Sequence, residues 1–559
     1  MKNRSVFQLA FTLGLLVCLP GLGSVGLWDP WETHYVEVGR QMLARADLIH
    51  PYWEHAWFFS KPPLVPWLSA LGLFLSGAQP WGSQGVGPLP HSVEWFVRLP
   101  IALLFTFAVA VMASTLEKFT SRRVALLAAL ILWTMPLTVF LSRQVMTDAP
   151  FLACLILALS WALAEKWLPA FAITGVALLA KGLLGFLPFV LVPLAWLVLD
   201  GPRGALQRVK ALPWFGPLLT LGIGAPWYLA MSLFPERDDE GRRFFERFFG
   251  YDHLDRFVSG VHTTTPGGTF TYFIEQGAFA IAPWVVFVPL ALFTVTPKDS
   301  PARGAQVLFG LTSLVTFVLF TASATRFHHY VFPVLPGLAV LIALSIDQLL
   351  TDGFDHRRAP LLIGAALAAL VWKDLWQRPR HLLDLFTYNH DRPYPDAVLT
   401  TPFPFKNALA LIGVLLVGAV LLTLIRKQRE ELAHSVLLAA GAFAALLVLQ
   451  HWPALGRHWT QRDLIDHYLA SRRSDREPLA AFLMNWKGET LYTRNEVRQI
   501  SSRDPRGELT AFALQPGRGF VVVEHARLQM LQSVVPPGQA VTPIDLDSNN
   551  KFALVALDD

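Results

Sequence analysis

Trp28–Gly77 reads WDPWETHYVEVGRQMLARADLIHPYWEHAWFFSKPPLVPWLSALGLFLSG. It follows directly on the first apolar run (6–26) and gathers acids, bases and aromatic rings between apolar segments. Asp29 and Glu32 stand three apart across Pro30. A helix begun at that proline puts both carboxylates on one face near its N-terminus. Glu37, Arg40 and Arg45 extend an amphipathic pattern, which predicts a helix lying along a membrane rather than crossing it. Ser60-Lys61-Pro62-Pro63-Leu64 then sets a cation just before two prolines that open a second apolar helix. Alone, such a stretch reads equally well as a solvated loop with a cap and a helix start, so its meaning depends on where the other charges fall.

The composition around it is that of a membrane protein. Of 559 residues, 53% are hydrophobic and 16% charged, against roughly 25% charged in soluble domains. The net charge of +5 needs no nucleic acid to explain it, because basic loops on one membrane side supply it. Cys18 and Cys154, the two cysteines, both sit in apolar runs, which argues against a disulfide framework or a thiolate metal site. Runs of crossing length fall near 6–26, 94–115, 123–141, 149–164, 167–181, 183–199, 212–234, 273–296, 305–322, 329–350, 358–372, 405–425 and 432–451, about thirteen spans. The first is read as a retained signal-anchor with its N-terminus inside, since Leu22-Gly-Ser24 is a poor cleavage site.

The loops test that count. Alternate connections are short and basic: Lys118/Arg122/Arg123, Lys166, Arg203/Arg208/Lys210, Lys298/Arg303, Arg357/Arg358 and Arg426/Lys427/Arg429. That is the positive-inside pattern, and it places the long connections 27–93, 235–272 and 373–404 outside. It divides the chain into a transmembrane unit, 1–451, with 27–93 as its first outer loop, and an outer tail, 452–559. In the tail, helical patterning over Gln461–Ser471 precedes strand-like Glu489–Thr493, Gly519–Glu524 and Phe552–Leu557, separated by turns at Arg503–Gly507 and Pro536–Gly538. A small α/β domain is expected there.

With this topology the ionisable residues near span ends converge on the outer face. Asp148, Lys181 and Arg326 end spans there, Asp29, Glu32 and Lys61 lie on the first outer loop, and Arg247, His253 and Arg256 lie on the loop before 273. Charges at a membrane boundary are functional candidates because burying them is costly. Each has a bland reading: a snorkelling Lys181, an N-capping Asp148, an interfacial Arg247 among phenylalanines. His253, His328 and His329 leave a divalent metal open but show no HExxH-like spacing. Acids and cations together at an outer face suit a lipid-phosphate donor: cations hold a phosphate that gains charge as it leaves, and a carboxylate activates the acceptor. No nucleotide-phosphate loop appears in the sequence.

Trp31-Glu-Thr-His-Tyr35 through Lys61-Pro-Pro-Leu64 resembles the first outer loop of the lipid A aminoarabinose transferase and protein O-mannosyltransferase-like membrane glycosyltransferases, which have the GT-C architecture. The resemblance continues in order through Arg98-Leu-Pro100, Thr147–Pro150, Ala180-Lys-Gly182, Pro226-Trp227, His253–Phe257 and Thr325–Tyr330, over about the first 350 residues. It implies a polytopic α-helical GT-C fold with outer amphipathic helices, a polyprenyl-phosphate sugar donor, and direct, inverting transfer outside the cytoplasm. It makes Lys61 the donor-phosphate lysine and Arg256 a donor-site arginine, puts Arg326 where lysine is commoner, and brings Tyr35 and Tyr330 among the substrate-binding candidates. Two departures stand out. Trp31 replaces the expected aspartate of an acidic pair, leaving Asp29 or Glu32 as base. Ser60 replaces an acid tied to metal binding in some relatives, which argues further against a metal.

The reading is a polyprenyl-phosphate-dependent glycosyltransferase of the bacterial inner membrane with a periplasmic site. Its acceptor is lipid A, a surface glycan or a protein. A flippase or transporter of a lipid-linked sugar is the rival, and it would show repeated halves and mid-membrane charges; a catalytically silent lipid binder is the third reading.

Overall fold

The computed structural model describes residues 5–259, 268–353, 357–377, 405–426, 429–515 and 517–558. The long connection 373–404 lies outside the described residues from 378 onward.

Six described stretches are long and apolar enough to cross a membrane: Val93–Phe119, Trp167–Ala211, Ala302–Ala322, His328–Asp352, Arg358–Gln377 and Glu430–Gly456. Val6–Cys18, Leu64–Leu75, Asp148–Leu163 and Lys406–Leu422 are shorter apolar helices. The chain is thus a multi-pass membrane protein. Two expected spans are broken. The 123–141 run is Arg122–Thr134 followed by Pro136–Leu141, because the proline lacks the N–H that would continue the first helix. The 273–296 run is Thr269–Ala280 and Trp284–Phe293, bent by 111° around Pro283. The helix Leu187–Ala211 is kinked at Gly201, whose φ of 71° is open to glycine. Beyond the kink Pro202–Ala211 carries Arg203, Arg208 and Lys210, mostly exposed.

The Trp31–Ala44 helix does not present a solvated face. Twelve of its fourteen residues are buried, because it is covered by the Leu64–Leu75 helix on one side and by the tail on another. Its charges are paired inside. Arg40 donates Nε and Nη2 to the two oxygens of Glu37 at 2.7 Å each, and both side chains are fully buried. Glu32 accepts from Arg98 Nε at 2.9 Å and Nη2 at 2.6 Å. Arg98 also donates to the carbonyls of Leu22, Val25 and Gly26 at 2.8–2.9 Å. A buried guanidinium needs this saturation, since an unpaired one would cost several kcal/mol.

The tail builds a five-stranded mixed sheet in the order Arg498–Ile500, Leu479–Phe482, Gly519–Glu524, Phe552–Asp558, Ala540–Asp545. The first three strands are parallel and the last two join antiparallel. Arg462–Ser471 is helical as expected. Gly488–Tyr492, expected as a strand, is a buried helix. Glu489, in its first turn, turns back to accept the Trp486 N–H at 2.9 Å, a local bond that outweighs β propensity over so short a run. The Arg503–Gly507 turn becomes a helix start, with Asp504 capping the Gly507 N–H at 2.9 Å.

The tail grips the first loop. Tyr492 Oη accepts the Leu27 N–H at 2.7 Å. Arg494 donates to the carbonyls of Ala78 at 2.9 Å and Gly87 at 2.7 Å and to Gln79 Oε1 at 2.9 Å.

Candidate active site

Lys61, Lys181, His253, Arg256 and Tyr330 line one cavity of about 160 Å³. Lys61 is delivered by the loop before Leu64–Leu75, where the prolines at 62 and 63 disfavour helical backbone at the residues that precede them and Pro63 starts the helix. Lys181 ends the Trp167–Lys181 helix, and the next residue, Gly182, turns the chain with φ 64°. A Cβ on Gly182 would stand 2.8 Å from His253 Nε2, so glycine also lets the imidazole close in. His253 and Arg256 come from the π-helical segment Glu246–Asp255 and the turn after it. The wider spacing of that segment sets three charged groups on one side. The irregular stretch 323–327, before the 3-10 helix His328–Val334, secures it: Thr325 Oγ1 donates to the Arg256 carbonyl at 2.5 Å and the Ala324 N–H to the Phe257 carbonyl at 2.9 Å.

Sequence reasoning missed the residue at the centre of the charge network. Asp252 accepts from Arg256 Nη2 at 2.9 Å and Arg247 Nε at 3.2 Å, and its carboxylate lies 3.9 Å from Lys61 Nζ. Its position four residues before Arg256 and five after Arg247 was the available signal, visible only once the segment is read as helical. Burial alone would raise the Asp252 carboxyl, but Lys61, Arg256 and Arg247 together hold it below the usual range. Burial and the charge of Arg256 push the Lys61 ammonium down to about 7, with Asp252 pulling the other way. His253 is lowered by burial, against the bond its Nδ1–H makes to the Phe248 carbonyl at 2.6 Å. Three cations thus face one lining carboxylate, while Leu184, Phe248, Phe257, Leu319 and Phe320 supply an apolar wall.

Other expected residues stand behind this lining. Asp148 pairs with Lys181 Nζ at 2.5 Å, steadying an ammonium that also sits 5.6 Å from the centre of the Tyr330 ring. Arg247 is a bracket: it binds Asp252, Glu240 at 2.5 Å and Ser60 Oγ at 3.2 Å. Tyr35 is buried in the first-loop helix, parallel to His34 at 6.0 Å. Arg326 is off the cavity lining, its charge acting on Tyr272.

The two expected bases are elsewhere. Glu32 is held by Arg98 and by the N–H groups of Trp28 at 2.8 Å and Val145 at 2.9 Å. Asp29, the other candidate base, does not line the cavity. Instead it accepts from Thr33 Oγ1 at 2.6 Å and Gln461 Nε2 at 3.2 Å. Burial and the nearby Glu489 carboxylate push it well above the usual carboxylate range. Neither acid lines the cavity. At the position of the expected aspartate, Trp31 packs edge-on against Phe327 at 6.1 Å and His329 at 6.5 Å, an aromatic brace on the stretch that carries Tyr330. Among the described residues no group of three or more His, Cys, Asp or Glu side chains is placed to hold a metal ion.

Comparison with known proteins places this geometry. Residues 34–235 match the family model of dolichyl-phosphate-mannose-protein mannosyltransferases. The chain is 24% identical to an undecaprenyl phosphate-α-4-amino-4-deoxy-L-arabinose arabinosyl transferase of Pseudomonas fluorescens, over 91% of this chain and 87% of that protein. It is 25% identical to the transferase of the same name from Erwinia tasmaniensis, over 62% of this chain but 60% of that protein's length. The ArnT crystal structure from Cupriavidus metallidurans bound to undecaprenyl phosphate superimposes with a TM-score of 0.72 at 20% identity, covering 98% of this chain and 97% of that one. The chain shares the fold of that ArnT structure. Lys61, Lys181 and Arg256 thus line a cavity within a fold shared with the ArnT structure.

Proposed function

We propose that the chain is an inverting glycosyltransferase that moves a sugar from a polyprenyl-phosphate carrier to lipid A, a surface glycan or a protein. In this reading about thirteen spans form a transmembrane unit, 1–451, in the bacterial inner membrane. The site and an α/β domain, 452–559, are then periplasmic, as the alternation of basic loops supports. The observation that carries the function is the cavity itself: Lys61, Lys181 and Arg256 against one lining carboxylate, beside an apolar wall. Such a lining accepts a phosphate headgroup and the start of its isoprenoid chain together. Lys61 and Arg256 hold the phosphate, Lys181 and His253 complete its surroundings, and Tyr330 borders the sugar side.

The chemistry follows from the leaving group. As the C1–O bond breaks, negative charge grows on the phosphate, and preformed cations stabilise that state more than the starting one. The acceptor oxygen or nitrogen bonds to C1 as that bond breaks and gives up its proton to water, and the phosphate leaves without protonation, so the protein's work there is positional and electrostatic. Asp252 keeps Arg256 and Arg247 in place as their counter-ion, and its three cationic partners make it a poor proton acceptor. Glu32 and Asp29 serve the scaffold rather than the acceptor hydroxyl or amine.

The test is transfer by the purified chain in liposomes containing polyprenyl-phosphate sugar, alongside a glycolipid profile of cells with and without the protein. Lys61→Ala should lower turnover about tenfold or more, the loss of one charge-assisted contact. Normal turnover in that variant at matched folded protein would remove Lys61 from the site. Net movement of intact donor across the bilayer without transfer would favour the flippase.

A further inference from the structure

A second built site lies at the other end of the same helices. Asp148–Leu163 starts at the Lys181 ion pair, and its last turn borders another cavity, about 22 Å away at 1.5 Å per residue. That cavity measures about 450 Å³ and takes in Arg208, Lys298 and Arg303, with Glu165 and Asp200 as its acids. Asp200 is already paired, to Arg208 Nε at 2.8 Å, and Arg303 Nη1 donates to Gln306 Oε1 at 3.1 Å. Lys298 is exposed at the rim. The kink at Gly201 produces this mouth, since it swings Arg208 back over the helix it follows, 6.0 Å from the Trp196 ring.

From the mouth an apolar groove runs toward mid-membrane. The cavity shares Ala162, Trp167 and Val192 with a second one, which continues past Phe171, Phe189 and Pro193 and is almost wholly apolar. The aromatic rings succeed one another along it: Trp196 to Trp167 at 5.6 Å, Trp167 to Phe171 at 6.5 Å, Phe171 to Phe189 at 5.7 Å. A cationic mouth at the membrane rim, opening into a greasy slot between helices, matches one kind of molecule: a bilayer lipid with an anionic headgroup.

We propose that this groove is a structural site for an anionic glycerophospholipid. Its phosphate sits among Arg208, Lys298 and Arg303, and an acyl chain lies along Trp167, Phe171 and Phe189. The charge balance selects the headgroup: with Arg208 and Asp200 paired, Lys298 and Arg303 face Glu165, a net excess of one positive charge. The position separates the bound lipid from the donor, whose phosphate belongs at the Lys61 end.

The test uses the full chain purified in detergent, with lipid retention read by native mass spectrometry and stability by thermal unfolding. Phosphatidylglycerol should remain bound and raise the unfolding temperature, while phosphatidylcholine of the same acyl chains should not. Combined Arg208→Ala, Lys298→Ala and Arg303→Ala should weaken phosphatidylglycerol binding about fivefold for each cation removed. Lys298→Glu alone, at an exposed position, should weaken it in a protein of unchanged fold. Lys61→Ala should leave it intact. Equal retention by wild type and the Lys298→Glu variant would overturn the proposal. So would equal binding of phosphatidylcholine, an equal stabilisation by inorganic phosphate, or a preference of this mouth for polyprenyl phosphate over phosphatidylglycerol.

Discussion

Lys61 offers the sharpest test of the donor site, because its ammonium is held at about 7. Protonated Lys61 is the form that binds phosphate, so binding weakens as pH rises through that value. A phosphate monoester has its own second pKa near 6, which makes the window above pH 7 the informative one, where the ligand is nearly all dianion. With a pKa of about 7, roughly half of Lys61 is charged at pH 7 and about 3% at pH 8.5. If the neutral amine contributes no more than an alanine would, the dissociation constant for polyprenyl phosphate should rise about sixfold across that interval. Lys61→Arg keeps its charge throughout, so its affinity should stay flat over the same range. Lys61→Ala should be flat too, but about tenfold weaker than wild type at pH 7. Titrating a short-chain polyprenyl phosphate into detergent-solubilised protein by calorimetry at four pH values reads all three. A wild-type constant that does not move between pH 7 and 8.5, or a Lys61→Arg variant as steep as wild type, would refute the electrostatic reading of the cavity.

The remaining predictions concern the scaffold and the topology. Glu32→Gln strands buried Arg98 without its counter-ion and should lower stability by about 3–5 kcal/mol, seen as a fall in unfolding temperature, with transfer per folded molecule largely kept. The Asp29 carboxyl is raised in the folded state, so its contribution is present at low pH and lost as pH rises through that folded pKa. Asp29→Asn should remove this dependence, making stability less sensitive to pH rising above the ordinary carboxylate range, at near-full transfer; loss of transfer would return Asp29 to the site. Gly182→Ala forces a left-handed φ and crowds His253, and should cost about 1–3 kcal/mol as well as weaken donor binding. Cysteines at Ser259 and Ser548 should react with an impermeant thiol reagent in intact spheroplasts, and labelling only after lysis would invert the topology.

Much of this was legible in the chain because membranes constrain sequence strongly. The apolar runs and the basic short loops announced a multi-pass protein; the outer-face charges named Lys61, Lys181, His253 and Arg256 of the cavity lining, and the family resemblance added Tyr330. What escaped was tertiary. Asp252 stood among the expected cations, but its role appears only when the π-helical segment turns it toward Lys61. Asp29 and Glu32 had the right residue type in a plausible place, yet their partners, Gln461 and Arg98, are distant in sequence. The Glu489–Thr493 stretch read as a strand because a five-residue helix carries too little periodicity to declare itself. The bend at Pro283 was invisible to a count of apolar residues, which measures length and not direction.

The bond from Leu27 to Tyr492, and those from Arg494 to Ala78 and Gly87, join the beginning of the chain to its end. Their consequence is temporal. A polypeptide is made from its N-terminus, and more than four hundred residues must be synthesised and inserted before these partners exist. Until then the loop that carries Lys61 lacks its cover, and Asp29 lacks Gln461. A nascent or prematurely ended chain can therefore hold every residue that lines the Lys61 cavity and still leave that cavity unassembled. The tail, made after the loop it covers, acts as the latch on it, so the lining of the Lys61 cavity waits for a later part of the chain.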